Sequence, residues 1–168
     1  MASTILLMMS ERRGKIKESV LYEPIRSWLE ERGFKALVTA GTKQVFLPTG
    51  SLLGVSFLEP DVIGYRKEKY GEKLVVVEVK ADPMYLFDGI GRCRIFQLTS
   101  NYVYLALPSH LADKIGTKSL YENLGIGVLS VDKYGVVEVK VEAKESHPYS
   151  TPIRDLFLAM VRSALGVT

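Results

Sequence analysis

Three residues carry the chemistry this chain can do: Asp61, directly after Pro60, and the pair Glu78 and Lys80. Glu78 and Lys80 follow the apolar run Leu74-Val75-Val76-Val77. Strand alternation puts both on one face, about 7 Å apart along the chain. A charge at the end of such a strand needs a partner, a cation or water, because isolated burial costs several kcal/mol. Asp61 lies 17 residues upstream of Glu78, and a hairpin turning near Gly71 would bring the two carboxylates to one end. Two carboxylates and a lysine around one point suit a hard divalent cation, Mg²⁺ with Mn²⁺ as a substitute, held by Asp61, Glu78 and the Val79 carbonyl. Such a cation neutralises a phosphate and lowers the pKa of a bound water, while a lysine out of bulk water, its own pKa lowered, positions or deprotonates that water. Phosphodiester hydrolysis is the reaction this set would serve.

The elements that must position these residues follow from periodicity. Ile16, Val20, Leu21, Ile25, Trp28 and Leu29 recur at helical spacing and predict a helix over 15–32, kinked or restarted at Pro24 and ended by Gly33. Residues 34–57 break into short strand-like pieces, and 59–65 reads as a strand entered through a proline. Residues 74–80 are rich in β-branched residues and apolar on both faces until the end of the run, as a central strand covered on both sides requires. A helix from about Pro83 to Thr99, a strand over 102–108, a helix over 117–124, strands over 127–131 and 136–141, and a helix over 152–165 complete the order. An α/β fold results, a mixed central β-sheet flanked by helices in one domain spanning 1–168, with an N-terminal arm over 1–14 and a C-terminal helix in 150–168.

Pro60-Asp61 followed by Glu78-Val79-Lys80 at a strand end resembles the PD-(D/E)xK motif of restriction-endonuclease-like nucleases, and the chain is similar to small archaeal-type endonucleases. The stretch Asp88 to Phe96 leading into Tyr102 to Pro108 resembles the helix and strand that follow the catalytic lysine, and Leu124 to Val131 a later strand. The similarity covers roughly residues 18–141. It implies a restriction-endonuclease-like core, an Mg²⁺-dependent endodeoxyribonuclease activity, DNA as partner and a homodimer that addresses two strands. It assigns metal binding to Asp61 and Glu78, water activation to Lys80, and an additional glutamate on the first helix to Glu18, with Glu23 in reserve. Many members place a glutamine on the helix after the motif; here Arg92 stands there, and Gln97 is nearby in another register. Arg92 and Gln97 are therefore the candidate substrate contacts. The departure keeps open a nuclease fold that binds DNA or protein without cutting, and an RNA-cleaving member shares the same metal chemistry.

A bare (D/E)xK string is a weak signal, since Val137-Glu138-Val139-Lys140 repeats Val77 to Lys80 letter for letter. The second copy follows a turn at 132–135, alternates in polarity and has no Pro-Asp before it, so it reads as a solvated edge strand. The single cysteine, Cys93, excludes an internal disulfide and a cysteine-ligated cluster within one chain. His110 and His147 lack ligand spacing with Cys93, and no phosphate-binding Walker loop is present. A net charge of +3 permits a nucleic-acid partner, and Arg12, Arg13, Lys15 and Lys17 form a basic cluster that could meet phosphates. The apolar run 5–9 is too short to span a bilayer, so a cytoplasmic protein away from membranes is the expectation.

Overall fold

The computed structural model describes residues 16–49, 57–116, 118–148 and 151–168. The N-terminal arm, the apolar run 5–9 and Arg12, Arg13 and Lys15 lie outside the described residues. Helix α1 (Ser19–Glu31) leads into β1 (Lys35–Val38), and a small separate pair, β2 (Leu47–Pro48) and β3 (Phe57–Leu58), follows. The main hairpin is β4 (Val62–Glu68) and β5 (Gly71–Val79). A 3₁₀ turn (Pro83–Tyr85) opens α2 (Leu86–Phe96), and β6 (Tyr102–Pro108), α3 (Ser109–Ala112), α4 (Lys118–Leu124), β7 (Gly127–Val131), β8 (Val137–Val141) and α5 (Pro152–Leu165) complete the chain. Six strands form one mixed sheet in the order β1-β4-β5-β6-β7-β8. β1, β4 and β5 are antiparallel, β5, β6 and β7 run parallel, and β8 returns antiparallel at the edge.

The two faces are covered by different helices. Leu21, Ile25, Trp28 and Leu29 of α1 pack on Val62, Val75, Val77, Val79 and Tyr104. On the other face Cys93 and Phe96 of α2, with Phe157, Leu158 and Val161 of α5, pack on Ile63, Leu74, Val76, Val103 and Leu105. Alternate residues of β5 thus enter opposite cores, which is why Leu74 to Val77 run without a polar break. Each fully buried Val or Leu contributes roughly 1.5–3 kcal/mol, so β5 is a large fraction of the stability. Asn101 splices β5 to the loop that enters β6. Its side-chain Oδ1 accepts from the Leu74 N–H at 2.9 Å, its own N–H donates to the Leu74 carbonyl at 2.9 Å, and its carbonyl accepts from Ser146 N–H at 2.7 Å.

The helix boundaries follow cap chemistry. α1 runs through Pro24 as one element rather than restarting, and Gly33 (φ 81°) stops it as expected. The Asp82 carboxylate accepts from Met84 N–H at 3.0 Å, and Pro83 follows, so the chain first winds as a 3₁₀ turn before α2. The expected helix over 83–99 is thus shorter at both ends. The four-residue α3 was not visible in the sequence, being too short to show a period. No described helix is long and apolar enough to cross a membrane.

Candidate active site

The β4–β5 register pairs Val62 with Val77, so Asp61, one step before β4, stands across from Glu78. Both lie at the end of the hairpin, where Glu78 meets Arg92 of α2 and Asp61 is reached by Tyr22 of α1. The loop that carries Asp61 is pinned carbonyl by carbonyl. Arg92 Nη2 donates to the Glu59 carbonyl at 2.8 Å, Thr39 Oγ1 to that of Pro60 at 2.6 Å, and the N–H groups of Thr39 and Ala40 to that of Asp61 at 2.9 and 3.1 Å. The Asp61 carboxylate itself accepts from Val79 N–H at 2.7 Å through Oδ2 and from the Tyr22 hydroxyl at 3.4 Å through Oδ1. Asp61 is therefore fixed by α1, β1 and β5 together.

Glu78 is the most desolvated charge in the site, only 1% exposed. Its Oε1 lies 2.6 Å from Arg92 Nε and 3.1 Å from Lys80 Nζ. Yet Oε1, Oε2 and Arg92 Nε all lack a partner in hydrogen-bond geometry. We read these approaches as charge–charge contacts, because a directional bond needs the N–H aimed at the oxygen. Lys80 also meets Asp88 of α2 at 3.3 Å. Gly89, one residue on, lets the helix approach this closely: a Cβ there would stand 2.8 Å from Lys80 Cγ and 3.0 Å from Leu105 Cδ1.

Burial dominates the electrostatics. It pushes the Asp61 carboxyl up to about 6, against the Val79 N–H and the charges of Lys80 and Arg92. It pushes Glu78 up to about 8, with the Asp61 charge adding and Arg92 and Lys80 opposing. Lys80 departs from the sequence expectation. Burial works to lower its pKa, but the adjoining Glu78 outweighs burial, so the ammonium is held protonated in the cation-free protein. Tyr22 is raised by burial and then by Asp61, so it stays a neutral donor.

No protein-family model, curated protein or solved structure matches this chain.

The structure brings Asp61, Glu78, Val79, Lys80 and Arg92 together. Glu18 sits just before α1, and its charge reaches Asp61, Tyr22 and Lys80, although it makes no direct bond to them. Its reserve, Glu23, faces away and pairs with Arg26 at 2.7 Å. Gln97 is not at the site: its amide donates to the Leu124 carbonyl at 2.9 Å, at the far end of α2. Arg92 is at the site, but on Glu78 and the Glu59 carbonyl rather than held out for a phosphate. Sequence reasoning passed over Tyr22 and Asp88. Tyr22 was findable, being one helical turn after Glu18 and on the same face. The second Val-Glu-Val-Lys string lies on edge strand β8 as expected, with the Glu138 side chain 66% exposed and paired with Lys140 at 3.1 Å. Cys93 is fully buried, and that burial raises its thiol, so it is no nucleophile.

A divalent cation fits this donor set in kind. The two carboxylates supply hard oxygen, and the buried Glu78 Oε2 has no hydrogen-bond partner. Among the described residues no group of three or more His, Cys, Asp or Glu converges as a metal site, so Asp61 and Glu78 are the carboxylates at hand. Mg²⁺ commonly uses one or two carboxylates, with waters and substrate phosphate completing its shell.

Proposed function

We propose that this protein is an Mg²⁺-dependent endodeoxyribonuclease on a restriction-endonuclease-like core. The observation that carries the reading is the desolvated Asp61–Glu78 pair at a hairpin end, with Lys80 beside it and Glu78 Oε2 unpartnered. The helix and parallel strand after Lys80, α2 and β6, support it, since the sequence resemblance requires both. Asp61 and Glu78 would hold Mg²⁺ or Mn²⁺, with the Val79 carbonyl as a further ligand. The bound ion supplies charge neutralisation at the phosphate and a water of lowered pKa.

The chain's own residues do the rest. Lys80 presents its ammonium to the attacking water and to the charge that builds on the phosphoryl oxygens. Asp88 and the Gly89 contact keep Lys80 in place. Val79 N–H and Tyr22 orient Asp61 so that a lone pair remains free on each oxygen. Just before Asp88 in the chain, Tyr85 and Phe87 are exposed, Phe87 by 86%, and offer rings on which bases would stack. Exposed Ile153 and Leu156 on α5 suit a second copy of the chain, which would give two sites for two strands.

Cleavage of labelled linear, branched and single-stranded DNA with Mg²⁺, Mn²⁺ or EDTA tests the proposal, alongside Glu78→Ala and Lys80→Ala. Metal-dependent cutting lost in both variants is the expected result. No cutting of any DNA, with binding equal in wild type and variants, overturns it in favour of a binding module on the same fold. The engagement of Arg92 with Glu78 is the observation that favours that second reading. RNA run in parallel tells the sugar preference.

A further inference from the structure

Resting on the nuclease reading above, we infer that Arg92 is the site's resident counter-cation. It holds Glu78 in the cation-free protein, releases it when a divalent ion binds the Asp61–Glu78 pair, and then serves a substrate phosphate while still tethered to the Glu59 carbonyl.

A second pair in the same molecule shows what a structural arginine–carboxylate contact looks like. Arg162 grips Glu72 with two parallel contacts, Nε to Oε1 at 2.7 Å and Nη2 to Oε2. That fork is the bidentate geometry in which a guanidinium binds a carboxylate best. Arg92 approaches Glu78 with Nε at 2.6 Å, outside hydrogen-bond geometry, and Oε2 has no hydrogen-bond partner, so no such fork forms. Its Nη2 bond to the Glu59 carbonyl is well formed at 2.8 Å. One end of the guanidinium is anchored and the other is held by charge alone.

The charge count shows the consequence. With both carboxyls ionised, as above about pH 8, Asp61 and Glu78 set two negative charges against the two positive ones of Lys80 and Arg92. A divalent ion entering this balanced set faces the repulsion of both cations. Lys80 is confined by Asp88 and the α2 backbone, so Arg92, with its side chain 25% exposed, is the one that can move. Swinging about the Glu59 tether takes its Nε side away from Glu78 and toward the solvent that the side chain already meets. A phosphate there relieves the displaced charge, so ion and phosphate each strengthen the other's binding, as linkage demands.

The experiment measures Mn²⁺ binding by the free-ion electron-paramagnetic-resonance signal for wild type, Arg92→Gln and Arg92→Lys. Removing one adjacent positive charge in Arg92→Gln tightens Mn²⁺ by about tenfold or more, a Coulomb effect at a few ångströms, while Arg92→Lys stays near wild type. In the wild type, the Arg92 Nε–H resonance, assigned through its loss in Arg92→Lys, moves to a solvent-exposed shift as Mg²⁺ is added. This second measurement decides alone should Arg92→Gln fail to fold. Equal or weaker Mn²⁺ binding in Arg92→Gln, or an Arg92 resonance indifferent to saturating Mg²⁺, overturns the inference and leaves the nuclease reading standing. Absence of Mn²⁺ binding in all three proteins overturns both.

Discussion

Replacing Glu78 by glutamine should stabilise the cation-free protein at alkaline pH. An ordinary glutamate ionises near 4.5, whereas burial holds Glu78 up to about 8. A carboxyl raised on folding binds more protons in the native state than in the unfolded one, so stability falls as pH climbs between those two values. The penalty is absent below about 4.5 and complete above about 8. At about 1.4 kcal/mol per pH unit, that window is worth on the order of a few kcal/mol. An opposing effect must be weighed. Removing one partner of a buried pair strands the other charges, which can cost roughly 3–5 kcal/mol when they are fully buried. Here Lys80 and Arg92 retain 11% and 25% of their side-chain surface, and both keep other acceptors in Asp88 and the Glu59 carbonyl. Stranding is therefore incomplete, and desolvation of Glu78 dominates. Urea unfolding in EDTA from pH 5 to 8 measures the balance. Wild type should lose stability across that range, Glu78→Gln should lose much less, and the curves should meet near pH 5. Added Mg²⁺ should restore the wild type at pH 8 and do little for the variant. A Glu78→Gln protein less stable than wild type at pH 8 in EDTA would refute the argument, because the cations would then more than repay the burial.

Two glycines of α2 should respond to alanine with opposite signs. Nothing lies within 4 Å of a Cβ at Gly91, so Gly91→Ala should stabilise by about 0.4–1 kcal/mol, read by thermal unfolding. Gly89→Ala forces a contact on Lys80 Cγ and Leu105, and should cost roughly 1–3 kcal/mol and displace the lysine, lowering both melting temperature and any cleavage rate. Asn101→Ala leaves the buried Leu74 N–H without its acceptor and should cost about 1–3 kcal/mol in urea unfolding. Glu138→Ala with Lys140→Ala should leave DNA cleavage unchanged within error, since neither touches the site.

The central elements were legible because burial and charge conflict openly in the sequence. Five apolar residues in the six positions before Lys80, with Glu78 interrupting them, announce a covered strand and a site at its end, and the hairpin about Gly71 follows from spacing alone. The string repeated at 137–140 was distinguishable because its neighbours alternate in polarity. Side-chain direction was less accessible. Arg92 and Gln97 are five residues apart on one helix, and the sequence does not say that one reaches Glu78 while the other caps the Leu124 carbonyl. The Lys80 pKa direction depends on its 3.1 Å neighbour outweighing burial, a balance of distances that no pattern of letters contains. The short pairs β2–β3 and helix α3 fall below the length at which a period can be seen.

Because one tetrapeptide occurs twice in one chain, the molecule carries its own reference compound. Lys80 and Lys140 share the Val-Glu-Val that precedes them, differ in the small apolar residue that follows (Ala81 or Val141), and otherwise differ in where the sheet puts them. Competitive labelling of both amines in a single sample, read peptide by peptide, divides out reagent, pH, temperature and local sequence at once. What survives in the ratio is the fold's contribution to the chemistry of a lysine.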